Sequence, residues 1–165
     1  MLIVRATKKL AERIGGFDRD APAESDPPML GEWYATAAFW RPQVAIFVSE
    51  ATLLPVLVPL APASSLNRRF PAALADVLRR QEVPGAFIEA ELARMRTGVV
   101  LPTANRSMVG VVSGYVSHAT HVNRFTGGPD LAKLEDLLAQ TPVRTANQPY
   151  RFPDQELAAL VAASL

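Results

Sequence analysis

The chain has 165 residues, of which 49% are hydrophobic and 20% charged, a composition typical of a globular rather than a disordered protein. Its seventeen basic and sixteen acidic residues give a net charge of +1, which supplies no global attraction to nucleic acid or to an anionic membrane. The absence of cysteine excludes disulfides, thiolate nucleophiles and zinc–sulfur sites.

Length and hydrophobic pattern predict a single domain over residues 1–165, because a chain of this size can bury one core. The N-terminal residues do not follow the pattern of a secretory signal. The most hydrophobic stretch, 44–63, is interrupted by prolines and is better suited to strands than to a membrane helix. We therefore expect a cytoplasmic protein without a membrane segment.

The first quarter of the chain predicts one strand and one short helix. Residues 2–6 are apolar and β-branched, as in a buried strand, and residues 8–14 have helical spacing before Gly15 and Gly16. The following segment, 17–28, is rich in Asp, Glu, Pro and Ala. It predicts a flexible loop.

Residues 32–60 predict an antiparallel meander. Three strands, at 32–40, 44–48 and 52–60, are separated by short turns, and such strands pair with their neighbours in sequence. Pro55 and Pro59 lack the amide proton that a ladder bond requires. The third strand is therefore expected at an edge of the sheet, or bulged.

The remainder of the chain is mainly helical in pattern. Pro71 suits the first turn of one helix, Pro84 opens another, and Asp130 is a suitable cap for a third. The other predicted elements are a short strand at 99–101, a long helix at 105–125 and a last helix at 154–163. Strands followed by helices indicate an α+β fold, an antiparallel β-meander with an N-terminal strand packed on four to five α-helices.

The start of the long helix is the most informative segment. Asn105 is a favourable N-cap, and the free amides of a helix start attract anions. Arg106 would add a positive charge with a forked donor geometry. Two interpretations stay open: Thr103, Asn105, Arg106 and Ser107 hold a phosphate or carboxylate, or the segment is an ordinary cap beside a solvated arginine.

A stripe of small residues runs along the same helix. Ser107, Gly110 and Gly114 recur at steps of three and four, and each helical glycine costs about 1 kcal/mol relative to alanine. The stripe predicts close approach of another backbone, either within the domain or across a homodimer. The intramolecular contact is the commoner meaning of such glycines.

Catalytic and cofactor motifs are incomplete. His118 and His121 have a spacing that can supply half of a metal site, but no carboxylate lies near them in sequence. Residues 110–114 lack the order of a nucleophile elbow, and residues 127–130 lack the lysine of a phosphate-binding loop. We predict no metal and no cofactor, and the sequence identifies no catalytic residue.

Basic residues form two groups along the chain. If they met on one surface beside Trp33, they would suit a nucleic-acid groove. The groups are Arg5, Lys8, Lys9 and Arg13, and Arg68, Arg69, Arg79 and Arg80.

Four short segments together carry a family resemblance. They are Thr7-Lys8-Lys9-Leu10, Leu30-Gly31-Glu32-Trp33, Ser49-Glu50-Ala51-Thr52-Leu53 and Asn105-Arg106-Ser107. In this order they resemble an uncharacterised bacterial single-domain family. This chain departs from the family pattern at Ser49, where asparagine is usual, and after Gly110, where the usual methionine–asparagine pair is missing. The resemblance implies a bacterial domain of unknown function and points to Lys8, Trp33 and Arg106.

Three functions compete at this point. The first is a non-enzymatic binding or assembly module, with a homodimer or a protein complex as its form. The second is a nucleic-acid or phosphate-ester binding protein, toxin-like or a metal-independent nuclease, and the third is a small-molecule enzyme that uses Glu32 and Glu50 as acid and base. The candidate ligand-binding residues are Lys8, Lys9, Trp33, Thr103, Asn105, Arg106 and Ser107.

Overall fold

Five strands and six helices make up the regular structure of the part of the chain described by a computed structural model, residues 1–19, 26–126, 130–146 and 148–165. The strands are β1 (Leu2–Ala6), β2 (Trp33–Ala38), β3 (Val44–Ser49), β4 (Pro55–Pro59) and β5 (Gly98–Pro102). The helices are α1 (Lys8–Ile14), α2 (Leu66–Arg80), α3 (Gly85–Ala93), α4 (Arg106–Thr126), α5 (Leu131–Ala139) and α6 (Pro153–Ser164).

The strands form one mixed sheet in the order β4-β3-β2-β1-β5. The predicted meander is confirmed for β2, β3 and β4, which pair antiparallel. The expectation of a purely antiparallel sheet is wrong, because β1 lies parallel to both β2 and β5. Parallel strands need a long connection between them. Helix α1 lies in the connection from β1 to β2, and α2 and α3 lie in the chain between β4 and β5.

Helices cover both faces of the sheet. Every residue of β2 and β3 is buried. Alternate residues of these strands therefore enter two separate cores. One core contains Trp33 together with residues of α1, α2, α3 and α6, and the other contains Tyr34 together with residues of α4 and α5.

The meander ends at β4, which is an edge strand as its prolines predicted. The outward amide of Leu57 in this strand donates a 2.8 Å hydrogen bond to the buried carboxylate of Glu135 on α5. The Glu135 side chain thus binds the Leu57 amide, which at an unprotected edge would be free to pair with another strand. At the opposite edge, Val100 of β5 donates to the carboxylate of Asp18 at 2.7 Å.

Some predicted boundaries need correction. Pro71 lies inside α2 rather than in its first turn, because the helix begins five residues earlier at Leu66. Much of the flexible loop predicted at 17–28, and three of the four residues compared with a phosphate-binding loop at 127–130, fall outside the described residues. None of the helices in the described ranges has the length and apolar character needed to span a bilayer.

Candidate functional site

The predicted residues at the start of α4 lie together where the chain leaves β5. The side-chain oxygen Oδ1 of Asn105 accepts from the amides of Ser107 and Met108, at 3.0 and 3.4 Å, so the predicted cap is confirmed. The amide of Asn105 donates in turn to the hydroxyl of Tyr34 at 3.1 Å. This cap already occupies two of the amides that an anion would need.

Carboxylates surround this helix start. Glu50 accepts a 3.3 Å bond from the side-chain amide of Asn105, and Glu32 forms a two-point ion pair with Arg5 at 2.8 and 3.3 Å. The hydrogen bond to Glu32 raises the pKa of Arg5, and burial followed by the charge of Glu50 raises the pKa of Tyr34. A phosphate would meet negative charge here, so the geometry favours the ordinary cap over the anion site.

The other predicted residues do not join this cluster. Lys8 and Lys9 are exposed in the first turn of α1, where the ammonium of Lys9 lies 5.3 Å from the centre of the Phe39 ring. Ala6 pairs with Pro102, so α1 and the segment leading to α4 leave the sheet at the same end. Within the described residues, however, no hydrogen bond or ion pair joins either lysine to residues 103–107.

Trp33 has a structural position that the sequence did not reveal. Its side chain is 0% exposed and packs edge-on against Phe70 of α2, with ring centres 4.9 Å apart. Its neighbour Tyr34 faces the opposite side of the sheet, toward α4. Trp33 therefore has no surface to offer a ligand beside Asn105 and Arg106, and we drop it from the candidate site.

Most arginines of the predicted basic groups are bonded within the protein. Arg69 donates to the carbonyls of Pro59, Leu60 and Pro62, and Arg80 forms an ion pair with Glu135. Arg79 pairs with Asp76 on the surface. These bonds fix the loop before α2 and join α2 to α5, so they give no support to a nucleic-acid groove built from these arginines.

The small-residue stripe of α4 is open to the surroundings. Gly110 and Gly114 are both exposed, and a Cβ atom built on either would have no neighbouring heavy atom within 4 Å. The predicted close approach of another backbone within the domain is therefore wrong for the described part of the chain. The second interpretation of the stripe, a contact between copies, stays a prediction.

The glycines form the floor of a groove of about 350 Å³, which we call the α4 groove. It is lined on one side by α4 residues between Ser107 and His118 and on the other by residues between Leu138 and Arg144. Backbone bonds between Val143 and Arg151, both 2.7 Å long, hold this second wall in place. The glycines of this groove could be recognised in the sequence. The second wall could not be predicted, because it has no local motif.

The two histidines of α4 do not extend into a metal centre. His118 lines the α4 groove, and both His118 and His121 are exposed. In the ranges that the structure describes, no group of three or more histidines and carboxylates lies close enough together to hold a metal ion. The pair thus brings no ligand chemistry to the groove on its own.

Comparison with protein families places these features in context. The model of a family described as a domain of unknown function, DUF6933, matches residues 3–156. The chain belongs to the DUF6933 family. Neither the curated proteins nor the solved structures include a significant match to it.

Membership in DUF6933 confirms the expectation of a domain family of unknown function that spans nearly the whole chain. The bacterial origin and the family-wide motifs stay predictions. In this DUF6933 chain, two of the motif residues have structural roles: Trp33 fills a core, and Ser49, the last residue of β3, is fully buried. These two residues therefore serve the fold of this chain.

Proposed function

We propose that this DUF6933 protein is a non-enzymatic binding module that assembles as a homodimer through the α4 groove. The observation that carries the proposal is the exposed pair Gly110 and Gly114, which leaves the backbone of a long helix bare beside an apolar wall. Its consequence would be a close helix–helix contact between two copies.

The energetic cost of the glycines supports a use outside the monomer. Two glycines in the middle of a 21-residue helix cost roughly 2 kcal/mol relative to two alanines. Neither Gly110 nor Gly114 makes a close contact in the described part of the chain that would repay this cost. A partner backbone that packs on them would supply the missing compensation.

The spacing of the glycines fits a second copy of the same helix. Residues four apart lie on one side of a helix, so Gly110 and Gly114 form one flat strip. A twofold axis would place this strip against its own copy, and a contact of this kind is self-complementary. Helix α4 contains no acidic residue, and its arginines, Arg106 and Arg124, lie outside the lining of the groove.

The mass of the protein in solution tests the proposal. Sedimentation equilibrium across a series of concentrations should show a monomer–dimer equilibrium for the wild type. Gly110→Gln with Gly114→Gln should shift it to monomer, because two long side chains would fill the strip. Ser113→Gln is the matched control, since Ser113 is exposed on the same helix but does not line the groove.

A cross-linking experiment distinguishes this interface from another. The chain has no cysteine, so Gly110→Cys introduces a single thiol. Oxidation should yield a covalent dimer, whereas Glu12→Cys, on the exposed face of α1, should yield little. A wild type that stays monomeric, or a dimer that the paired glutamines leave intact, would refute the proposed assembly.

A further inference from the structure

A second concave site lies on the opposite face of the sheet, beside β5. This cavity, which we call the β5 cavity, has a volume of about 440 Å³ and is lined by β1, the first turns of α2, Asp18 and residues between Leu92 and Val100. Its volume falls within the range of about 300–1,000 Å³ that small-molecule sites occupy. Of the two basic groups considered in the sequence analysis, only Arg68 contributes to its lining.

Two arginines without internal partners line this cavity. Arg68 of α2 and Arg96, between α3 and β5, are exposed and form no ion pair or hydrogen bond in the described part of the chain. They differ in this from Arg69, Arg79 and Arg80, each of which is bonded. Two unpaired guanidinium groups at one cavity attract an anion, since each offers a planar set of donors.

Among the described residues, the lining contains one carboxylate, that of Asp18, and it already has partners within the protein. Asp18 accepts from the amide of Val100 at 2.7 Å, and its own amide donates to the Val100 carbonyl at 2.8 Å. This pairing fixes Asp18 against the edge of β5. With one carboxylate and two guanidinium groups, the formal charge of the lining is positive.

An unsatisfied acceptor marks the wall formed by α2. The side-chain oxygen Oδ1 of Asn67 is buried and has no hydrogen-bond partner among the residues that the structure describes. Four residues later, Pro71 has no amide proton, so the backbone carbonyl of Asn67 also lacks its usual helical donor. A buried acceptor without a partner is costly, and a ligand that donates a hydrogen bond to Asn67 would remove this cost if the side chain, which contributes to the lining, turns its oxygen into the cavity.

The remaining lining is apolar. Pro71 of α2, Leu92 of α3 and Met95, just after α3, form one wall, and Val4 of β1 lies in the sheet below them. Such a surface binds the hydrocarbon part of a ligand, while the few polar groups set its orientation. An apolar wall, an acceptor and two cations together suit a ligand that has an apolar body, a hydrogen-bond donor and a negative charge.

We propose that the β5 cavity binds a small organic anion. Arg68 and Arg96 bind its carboxylate or phosphate head group, and Asn67 accepts a hydrogen bond from a hydroxyl or amino group on its body. The apolar part of the ligand packs against Leu92 and Met95. This site is independent of the proposed dimer, because the α4 groove lies on the other face of the sheet.

Titration followed by two-dimensional amide NMR tests the site, with 4-hydroxybenzoate and 4-hydroxyphenyl phosphate as the two probes. At least one should shift the backbone amides of Gly98 to Val100 and the side-chain amide of Asn67 in a saturable manner. The stronger probe identifies the head group. The neutral 4-hydroxybenzyl alcohol should bind more than about tenfold more weakly, because it cannot form an ion pair with either arginine.

Matched variants separate a built site from general surface charge. Arg68→Gln and Arg96→Gln should each raise the dissociation constant about tenfold, the value of one charge-assisted hydrogen bond. Arg79→Gln removes the same charge from the same helix outside the cavity and should change it less than about twofold. Equal weakening by all three variants would overturn the proposal, as would the absence of saturable shifts at the cavity with both probes.

Discussion

The hydroxyl of Tyr115 on α4 donates a 2.7 Å hydrogen bond to the carbonyl of Leu53, in the turn between β3 and β4. Both residues are buried, and Leu53 has a φ of +64°, a left-handed conformation that residues other than glycine seldom adopt. The bond therefore ties the long helix to a turn that is unfavourable by itself. It also fixes the position of α4, on which the proposed dimer surface lies.

Removal of this hydroxyl is expected to destabilise the protein. Tyr115→Phe leaves the buried carbonyl of Leu53 without a donor, and the free energy of unfolding should fall by about 1–3 kcal/mol. Urea denaturation measures the loss. Tyr150→Phe removes the same group from an exposed ring and should change stability little. Equal effects of the two substitutions would show that the bond to Leu53 contributes nothing.

Ser49 stabilises the other end of the same turn. Its hydroxyl donates to the carbonyl of Leu30 at 2.7 Å and accepts from the amide of Thr52 at 3.1 Å, with no exposure to solvent. Ser49→Ala should lower the free energy of unfolding by about 1–3 kcal/mol, because both partners lose their bond. Thermal and urea unfolding provide the measurement.

An asparagine at this position offers a sharper comparison. The asparagine side chain also has an acceptor, its carbonyl oxygen, and a donor, its NH2 group. Asparagine is common in turns of this kind. Ser49→Asn should therefore retain more stability than Ser49→Ala despite its larger volume. The reverse order would mean that the volume of the buried side chain, rather than its hydrogen bonds, decides the stability of the turn.

Features set by neighbouring residues could be predicted from the sequence. Asn105 and Asp130 cap their helices through amides only two or three residues away, so the signal lies within one turn. The edge position of β4 followed from Pro55 and Pro59, because a missing amide proton excludes full pairing wherever the strand lies. These predictions depend on local chemistry and needed no knowledge of the packing.

Features set by distant residues could not be predicted in the same way. Trp33 and Tyr34 necessarily face opposite sides of β2, but the sequence does not state that helices cover both sides. In the sequence, Arg80 has the pattern of a surface charge. In the structure it bonds to Glu135 of α5, which lies 55 residues further along the chain. The α4 groove likewise depends on residues near Val143, which no pattern near Gly110 indicates.

The exposed glycines of α4 make a prediction that is independent of the dimer. At concentrations where the protein is monomeric, Gly110→Ala should raise the free energy of unfolding by about 0.5–1 kcal/mol, since the new methyl group meets no neighbour. Gly98→Ala is the contrasting variant, because its methyl group would lie 3.2 Å from the Leu2 carbonyl oxygen in the sheet. A loss of stability in Gly110→Ala would mean that the strip has a contact in the monomer.

The buried carboxylate of Glu135 predicts how stability depends on pH. Burial raises the pKa of Glu135 from 4.5 to about 7, although the Leu57 amide and Arg80 both act to lower it. The folded protein therefore holds this proton more tightly than the unfolded chain does. The resulting stabilisation is fully present below pH 4.5 and is lost as the pH rises to about 7.

Replacement by the neutral amide should remove this dependence. In Glu135→Gln the side chain can still accept a hydrogen bond from the Leu57 amide, but it no longer titrates. The free energy of unfolding of this variant, relative to that of the wild type, should therefore increase between pH 4.5 and about 7. Over this pH interval, the difference in free energy of unfolding between the variant and the wild type should change by an amount on the order of 3 kcal/mol. Urea denaturation at steps across this interval measures it.

Glu89→Gln is the control for this measurement, because Glu89 is an exposed glutamate on α3. Its stability profile against pH should follow that of the wild type. A wild-type profile that the Glu135→Gln variant reproduces would show that Glu135 stays ionised when the protein folds. The ion pair with Arg80 and the hydrogen bond from Leu57 would then offset the effect of burial on the pKa of Glu135.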